Sequence, residues 1–336
     1  MSEFRFWFAN QRGALLALVL FLLMFGIYIA NHPAIQNSGF TVEAVGNVVQ
    51  TAANKGVLLA LVAMAQTFVV LTAGIDLSVG MVFILANCVA SVVVIGPLPM
   101  AILGVVGVLL VGAVCGAING LVVIFGRLQP IVVTLATGAV YFGIALWLRP
   151  SPASAPDFNS DLADFFTGKL FDLIPTSLVM LLVIVLVVWI PVRRSEIGRT
   201  IYAVGSSESA AYMSGMPIRR AKFLAYTLAG LLAALGGVFL TFFTYSGEAS
   251  SANGSTYTLY SIAAVVLGGV SLFGGRGSAI GAIFGALAFR AIGDLLFVFN
   301  LDPLWQPLFQ GVVLLIAVCI GAARLFQVRN RLELFG

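Results

Sequence analysis

Charge is what this chain has least of. Asp, Glu, Lys and Arg make up 9% of its 336 residues, against about a quarter in an ordinary soluble protein. So thin a charged complement excludes a water-soluble globule, and 61% hydrophobic residues exclude disorder. Histidine occurs once, at His32, which leaves no histidine cluster for a metal. Cys88, Cys115 and Cys319 all lie inside apolar runs, and an odd, scattered set makes neither a disulfide framework nor a zinc spacing. The GxSxG, HExxH, Walker-type and paired-cysteine motifs are missing, so nothing here reads as an enzyme or as a nucleotide-hydrolysing engine. A net charge of +4 does not point to nucleic acid, because basic residues between apolar runs set membrane topology.

What the chain does have is long greasy tracts. Apolar runs fall at 13–31, 56–75, 77–96, 100–122, 131–148, 173–191, 223–243, 258–273, 279–299 and 307–323, and a hydrocarbon core of roughly 30 Å takes about 20 residues per helix. An all-α integral membrane protein is therefore expected, one transmembrane domain over 1–336 with about ten spans. The first run follows a basic segment but has no small-x-small cleavage site, so it reads as an uncleaved helix. Val42, Val45, Val48 and Val49 sit at helical spacing within 40–53 and predict an interfacial helix feeding the second span. With the amino terminus inside, thirteen of the seventeen Lys and Arg residues gather on one side, which places both ends of the chain in the cytoplasm.

Two connections stand out. The external one, about 149–172, is rich in Pro and Ser, contains Asp157, Asp161, Asp164 and Asp172, and reads as an irregular lip. The cytoplasmic one, about 192–222, is basic at both ends and frames a short helical segment between Gly205 and Gly215, with Ser206 or Ser207 as its cap and Gly215 as its stop. Such a framed loop suits docking of a cytoplasmic partner; contact of its basic residues with anionic headgroups is the alternative.

Three charges fall within the spans. Asp76 stands alone in "TAGIDLSVG", between Gly74 and Gly80; these glycines permit a break, and the carboxylate, with Ser78, can cap the helix that follows or face the transport path. Arg290 and Asp294 are four residues apart, so they share a helix face and can neutralise each other as a structural pair or serve the path. Gln66, Thr67, Asn87, Asn119, Thr134, Thr137 and, further on, Tyr257 supply uncharged polarity; they suit a polar neutral cargo better than an ion. Gly112, Gly116 and Gly120, and Gly277, Gly281 and Gly285, recur every four residues and allow close helix approach, within one subunit or between two. A faint echo links "VVLTAGIDLSVG" with "VVLGGVSLFGG".

In order, "TAGIDLSVG", "GRTIYAVGSSESAAYMSGMPIRRAKFLAYTLAG" and "IAAVVLGGVSLFGGRGSAIGAIFGAL" make the chain resemble, over about 44–321, the permease subunits of bacterial ATP-binding cassette importers for ribose and other simple sugars, a type II-like importer permease. The resemblance implies a bacterial inner-membrane protein that dimerises with a second copy or a paralogue. It also implies two cytoplasmic ATP-binding subunits, which would hold ATP and magnesium, and a periplasmic sugar-binding protein; no cofactor is expected in this chain. It places Gly205, Glu208, Ala210, Ser214 and Gly215 in a coupling helix against the ATPase, and implies alternating access. The chain departs from the family in "TYTLYS", where Thr258 and Tyr260 replace two acids, and at Arg290 and Asp294. Rival expectations are a permease of the same superfamily for nucleosides or amino acids, and an ion-coupled carrier titrating Asp76 or Asp294.

Overall fold

A computed structural model describes residues 2–313 together with 315, 316 and 319. It is helical throughout, apart from a two-residue antiparallel ribbon pairing Lys169–Leu170 with Ile174–Pro175. The helices are α1 (Ser2–Asn31), α2 (Pro33–Ser38), α3 (Val42–Val70), α4 (Val79–Val93), α5 (Leu98–Gly126), α6 (Pro130–Leu148), α7 (Ser160–Thr167), α8 (Thr176–Ile184), α9 (Ile190–Arg194), α10 (Glu196–Ser206), α11 (Glu208–Met213), α12 (Ile218–Thr244), α13 (Ser251–Leu267) and α14 (Ala279–Val298). A π-helical turn, Val185–Trp189, joins α8 to α9 into one rod. Residues 306–313 are helical.

Among the described residues, seven helical stretches are long and apolar enough to cross a membrane. α4, at 15 residues, is apolar but shorter, α13, at 17, is polar over its first half, and the tenth expected span, 307–323, extends outside the described residues. The bundle centre is α3, whose most apolar window is 94% buried, whereas that of α1 is 11% buried and those of α5 and α6 are 28%. Leu103, Leu110, Phe125, Leu135 and Trp147 are exposed on α5 and α6, as side chains facing hydrocarbon would be.

Three sequence expectations need correction. Residues 40–53 are not a separate interfacial helix: Thr41 caps α3, which runs unbroken to Val70, because its amino-terminal valines pack on α1 and α2 around Tyr28 and Ile35. The eighth span is not 258–273; α13 begins at Ser251 under a Ser250 cap and ends at Leu267, where Gly269 takes φ +80°. Hydropathy counts Gly268–Val270 and Leu272–Phe273 as apolar and does not register the left-handed turn between them. The external lip is not wholly irregular, since Asn159 accepts from the Leu162 N–H and starts α7, and Phe166 stacks on Phe242 of α12 with ring centroids 5.7 Å apart.

Both glycine rows work within this chain. A Cβ on Gly116 would lie 2.1 Å from the Tyr226 carbonyl, and one on Gly230 would lie 2.1 Å from the Gly112 carbonyl, so α5 and α12 touch backbone to backbone. Gly281 and Gly285 bring α14 equally close to Gly268 and Ala264 on α13.

Candidate functional site

α3 stops at Val70, and eight residues pass before α4 begins. A stretch of peptide inside a membrane bundle cannot leave its N–H and C=O groups bare. Here side chains from several helices take the place of the missing helical bonds. The Asp76 carboxylate accepts from the Ser78 N–H at 2.8 Å and from the Ser78 hydroxyl at 2.6 Å. Asn119 of α5 donates to that hydroxyl at 2.7 Å, and Tyr141 of α6 donates to the Asn119 carbonyl oxygen at 3.1 Å. Thr134 of α6 accepts the Leu77 N–H at 2.9 Å, and Thr258 of α13 accepts the Gly80 N–H at 3.1 Å. With its amide oriented to satisfy both groups, Gln66 of α3 donates to the Asp76 carbonyl at 3.0 Å and accepts from the Asp76 N–H at 3.3 Å.

The acid in "TAGIDLSVG" is thus a turn anchor at the entry to α4. Asp76, Ser78, Asn119, Thr134 and Thr258 are all buried. Thr258 serves here as an acceptor for the break. Tyr257, one residue away, lies outside the hydrogen-bonded set; its ring packs on Phe83 with centroids 4.5 Å apart. Gly80 is required by a different contact, since its Cβ would fall 2.0 Å from the Gly254 carbonyl of α13.

At the end of the bundle carrying residues 192–222, here the basic end, the framed segment has the expected form. Ser207 caps α11 by accepting from Ala210 N at 3.3 Å, the Ser214 hydroxyl bonds back to the Ala210 carbonyl at 2.9 Å, and Gly215 closes the turn at φ +71°. Tyr212 and Met213 project into solvent, 76% and 87% exposed. Glu208 is engaged within the chain: Lys222 of α12 reaches both its oxygens at 2.7 Å. Gly205 does not bound α11 but lies inside α10, against two other backbones. Its Cβ position is 1.9 Å from the Leu71 carbonyl and 2.4 Å from the Gly275 nitrogen, and those two atoms share a 3.1 Å hydrogen bond. The basic loop therefore touches the start of the break that leads to Asp76. No sequence signal singled out Gly275 or Leu71, because the contact joins stretches far apart in the chain.

The expected Arg290–Asp294 pair is not formed as an ion pair among the described residues. Asp294 instead lies 4.0 Å from the Lys55 ammonium of α3, and the Arg290 Nε is buried without a hydrogen-bond partner. Lys55 lies within α3, one residue before the apolar run that begins at Gly56, so the cation in ion-pair range comes from another helix. His32, which the sequence left without a partner, caps α2 by accepting from Ala34 N at 3.2 Å. Burial pushes its pKa below the ordinary value; the Asp294 charge opposes this and that of Lys55 adds to it. At the other end, here the lip end, the Tyr245 phenol donates to Asp164, and that bond first, then burial, raises its pKa.

With this geometry in view, comparison with known proteins is decisive. Residues 48–318 match the profile of a family described as the permease component of branched-chain amino acid transport systems. The chain belongs to that permease family. It is 32% identical to the ribose import permease protein RbsC of Escherichia coli over 318 residues, 94% of each chain. It is 35% identical to the fructose import permease protein FrcC of Rhizobium meliloti, covering 91% of this chain and 83% of that one. A probable ABC transporter permease protein of Sinorhizobium fredii is 38% identical over 79% of this chain and 78% of its own length. No solved structure gave a significant match. The family and the seven long apolar helices make the chain a multi-pass membrane permease subunit of an ABC importer.

Proposed function

We propose that this permease carries a monosaccharide inward across the bacterial inner membrane, with both termini cytoplasmic, about ten spans and a second permease subunit beside it. ATP-binding subunits at the basic end drive it, and a periplasmic sugar-binding protein loads it at the lip end. Several relatives named for ribose, allose or fructose import support a sugar cargo. The observation that carries the drive mechanism is the backbone contact of Gly205 with Leu71 and Gly275. A push on α10 and α11 reaches the break directly, with no flexible side chain between them. Asp76 then keeps α4 folded up to its first residue while the break moves, so that the half-length helix swings as a unit. Alternating access by such a swing needs no titrating group, which separates this reading from an ion-coupled carrier using Asp76 or Asp294.

The experiment is reconstitution. In liposomes the permease alone accumulates nothing; with its ATP-binding subunits, the binding protein and internal ATP, radiolabelled sugar concentrates inside. Uphill uptake by the permease alone on a proton or sodium gradient would refute the proposal. Ligand binding by the partner protein decides between a monosaccharide and the nucleosides or amino acids handled elsewhere in the superfamily.

A further inference from the structure

The break and the basic loop leave one group of chemistry-bearing residues unused, near the lip end where α1 and α14 finish. A cavity of about 250 Å³ opens there among α1, α3, α14 and residue 306, with Tyr28, His32, Lys55, Arg290, Asp294 and Gln306 among its walls. That is the room of about eight waters at ~30 Å³ each, below the roughly 300–1,000 Å³ of drug-sized pockets. Two cations face one carboxylate. The Lys55–Asp294 separation is at the outer limit of an ion pair, and the Arg290 Nε has no acceptor. A shielded guanidinium nitrogen lacking an acceptor is costly in apolar surroundings, and an oxygen-bearing anion held between Arg290 and the loosely paired Lys55 ammonium supplies one. The remaining wall is of another kind. Asp294 accepts hydroxyl protons, Gln306 both donates and accepts, and the rings of Tyr28, His32 and Phe297 stand in a contiguous row.

We infer that this cavity is a binding site for a small ligand carrying one oxyanion next to hydroxyl groups, the oxyanion on Arg290 and Lys55 and the hydroxyls on Asp294 and Gln306. Carboxylated sugars and the glycerophosphate headgroup of phosphatidylglycerol share this chemistry. The site stands apart from the break at Asp76, so the inference does not rest on the transport reading.

The test uses the purified full-length chain in detergent and in nanodiscs. Thermal unfolding is followed against glucuronate, against glucose, and against sodium chloride at matched ionic strength; in parallel, nanodiscs of phosphatidylglycerol are compared with nanodiscs of phosphatidylcholine. A saturable rise in the midpoint with glucuronate, absent with glucose, supports the site and names a soluble ligand. A rise with phosphatidylglycerol alone supports it and names the lipid. Arg290→Gln and, at the half-exposed Lys55, Lys55→Gln each weaken the response about tenfold, the loss of one charge-assisted contact, while Arg127→Gln at the basic end leaves it unchanged. The inference is overturned by no response to either probe, by glucose matching glucuronate, or by equal responses in both pocket variants and the unaltered chain.

Discussion

Gly205→Ala is the sharpest perturbation the structure offers. The added methyl would sit 1.9 Å from the Leu71 carbonyl and 2.4 Å from the Gly275 nitrogen, and an unstrained contact needs about 3.5 Å. α10 must therefore draw back by about 1.5 Å, or the Leu71–Gly275 hydrogen bond must open. Overpacking of this kind costs about 1–3 kcal/mol and a lost hydrogen bond about 1 kcal/mol, so the junction loses about 1–3 kcal/mol whichever way it yields. Site-to-site coupling energies run at about 1–3 kcal/mol, or 5–150-fold; a loss of that size removes most of the coupling. The assay is the assembled importer in liposomes, with ATP hydrolysis and sugar accumulation measured on the same preparation. Hydrolysis is expected to persist while sugar moved per ATP falls at least about fivefold. Gly143→Ala on α6, where an added Cβ meets nothing within 4 Å, is the control and should behave as wild type. Wild-type sugar transport per ATP in the Gly205 variant would refute direct transmission through this junction.

Other perturbations test neighbouring parts. Asp76→Ala leaves the buried Ser78 N–H without its acceptor, worth about 1–3 kcal/mol, and should lower the thermal midpoint of the purified permease; Asp76→Asn keeps an acceptor oxygen and should lower it less. Glu208→Lys and Lys222→Glu each break an exposed bridge worth at most about 1 kcal/mol, so neither should alter folding yield. If the bridge itself positions α11, the double reversal restores uptake; if Glu208 also meets the ATPase, uptake stays low and binding of the ATP-binding subunit, measured by pull-down, falls. In Ala73→Cys/Gly274→Cys, positions whose backbones nearly touch, oxidation should form a disulfide and stop transport until a reductant is added, and unimpaired transport by the crosslinked form would show that these turns need not part.

How much of this was readable beforehand depends on whether a feature is local. The bonding of Asp76 to Ser78 just ahead of α4, the start of α11 at Ser207 and its stop at Gly215 were legible because each is set by residues within three or four positions. The acceptors for Leu77 and Gly80 were not, since Thr134 and Thr258 lie 57 and 178 residues away, and in sequence they look like any intramembrane threonine. Lys55 misled for a physical reason: a cation ends a hydropathic run, so the apolar window began at Gly56. Within the fold Lys55 can remain in mid-helix because Asp294 lies opposite. Arg290 and Asp294 both line the cavity, yet the 4.0 Å contact of Asp294 is with Lys55. Spacing of four places two side chains on one helix face but does not forbid a nearer partner on another helix.

The two echoing stretches gain a physical meaning from where they meet. Each follows a long helix, ending at Val70 in one case and Leu267 in the other, and each contains residues forced to positive φ, Ala73 at +61° and Gly269 at +80°. The second turn extends to Gly274 and Gly275, also left-handed, and these pack on Ala73 and bond to the Leu71 carbonyl. Two helix endings thus share one junction, and Gly205 of the basic loop enters between them. The turns differ in what continues from them. After Leu71 the chain stays unwound for several residues and needs Gln66, Thr134, Thr258 and the Asp76–Ser78 pair to satisfy it. The second connection, 268–278, is unwound over a longer stretch but is closed in part by backbone bonds, Ser271 N–H to the Arg276 carbonyl and Gly274 N–H to the Ser271 carbonyl at 3.0 Å each, before the Ser278 cap starts α14. The first turn, bonded through side chains, can open one hydrogen bond at a time. If these bonds let the first turn move and return, apolar replacements of similar size at Gln66, Thr134 or Thr258 lock it or unfold it, read as lost uptake at full expression or as a lowered thermal midpoint.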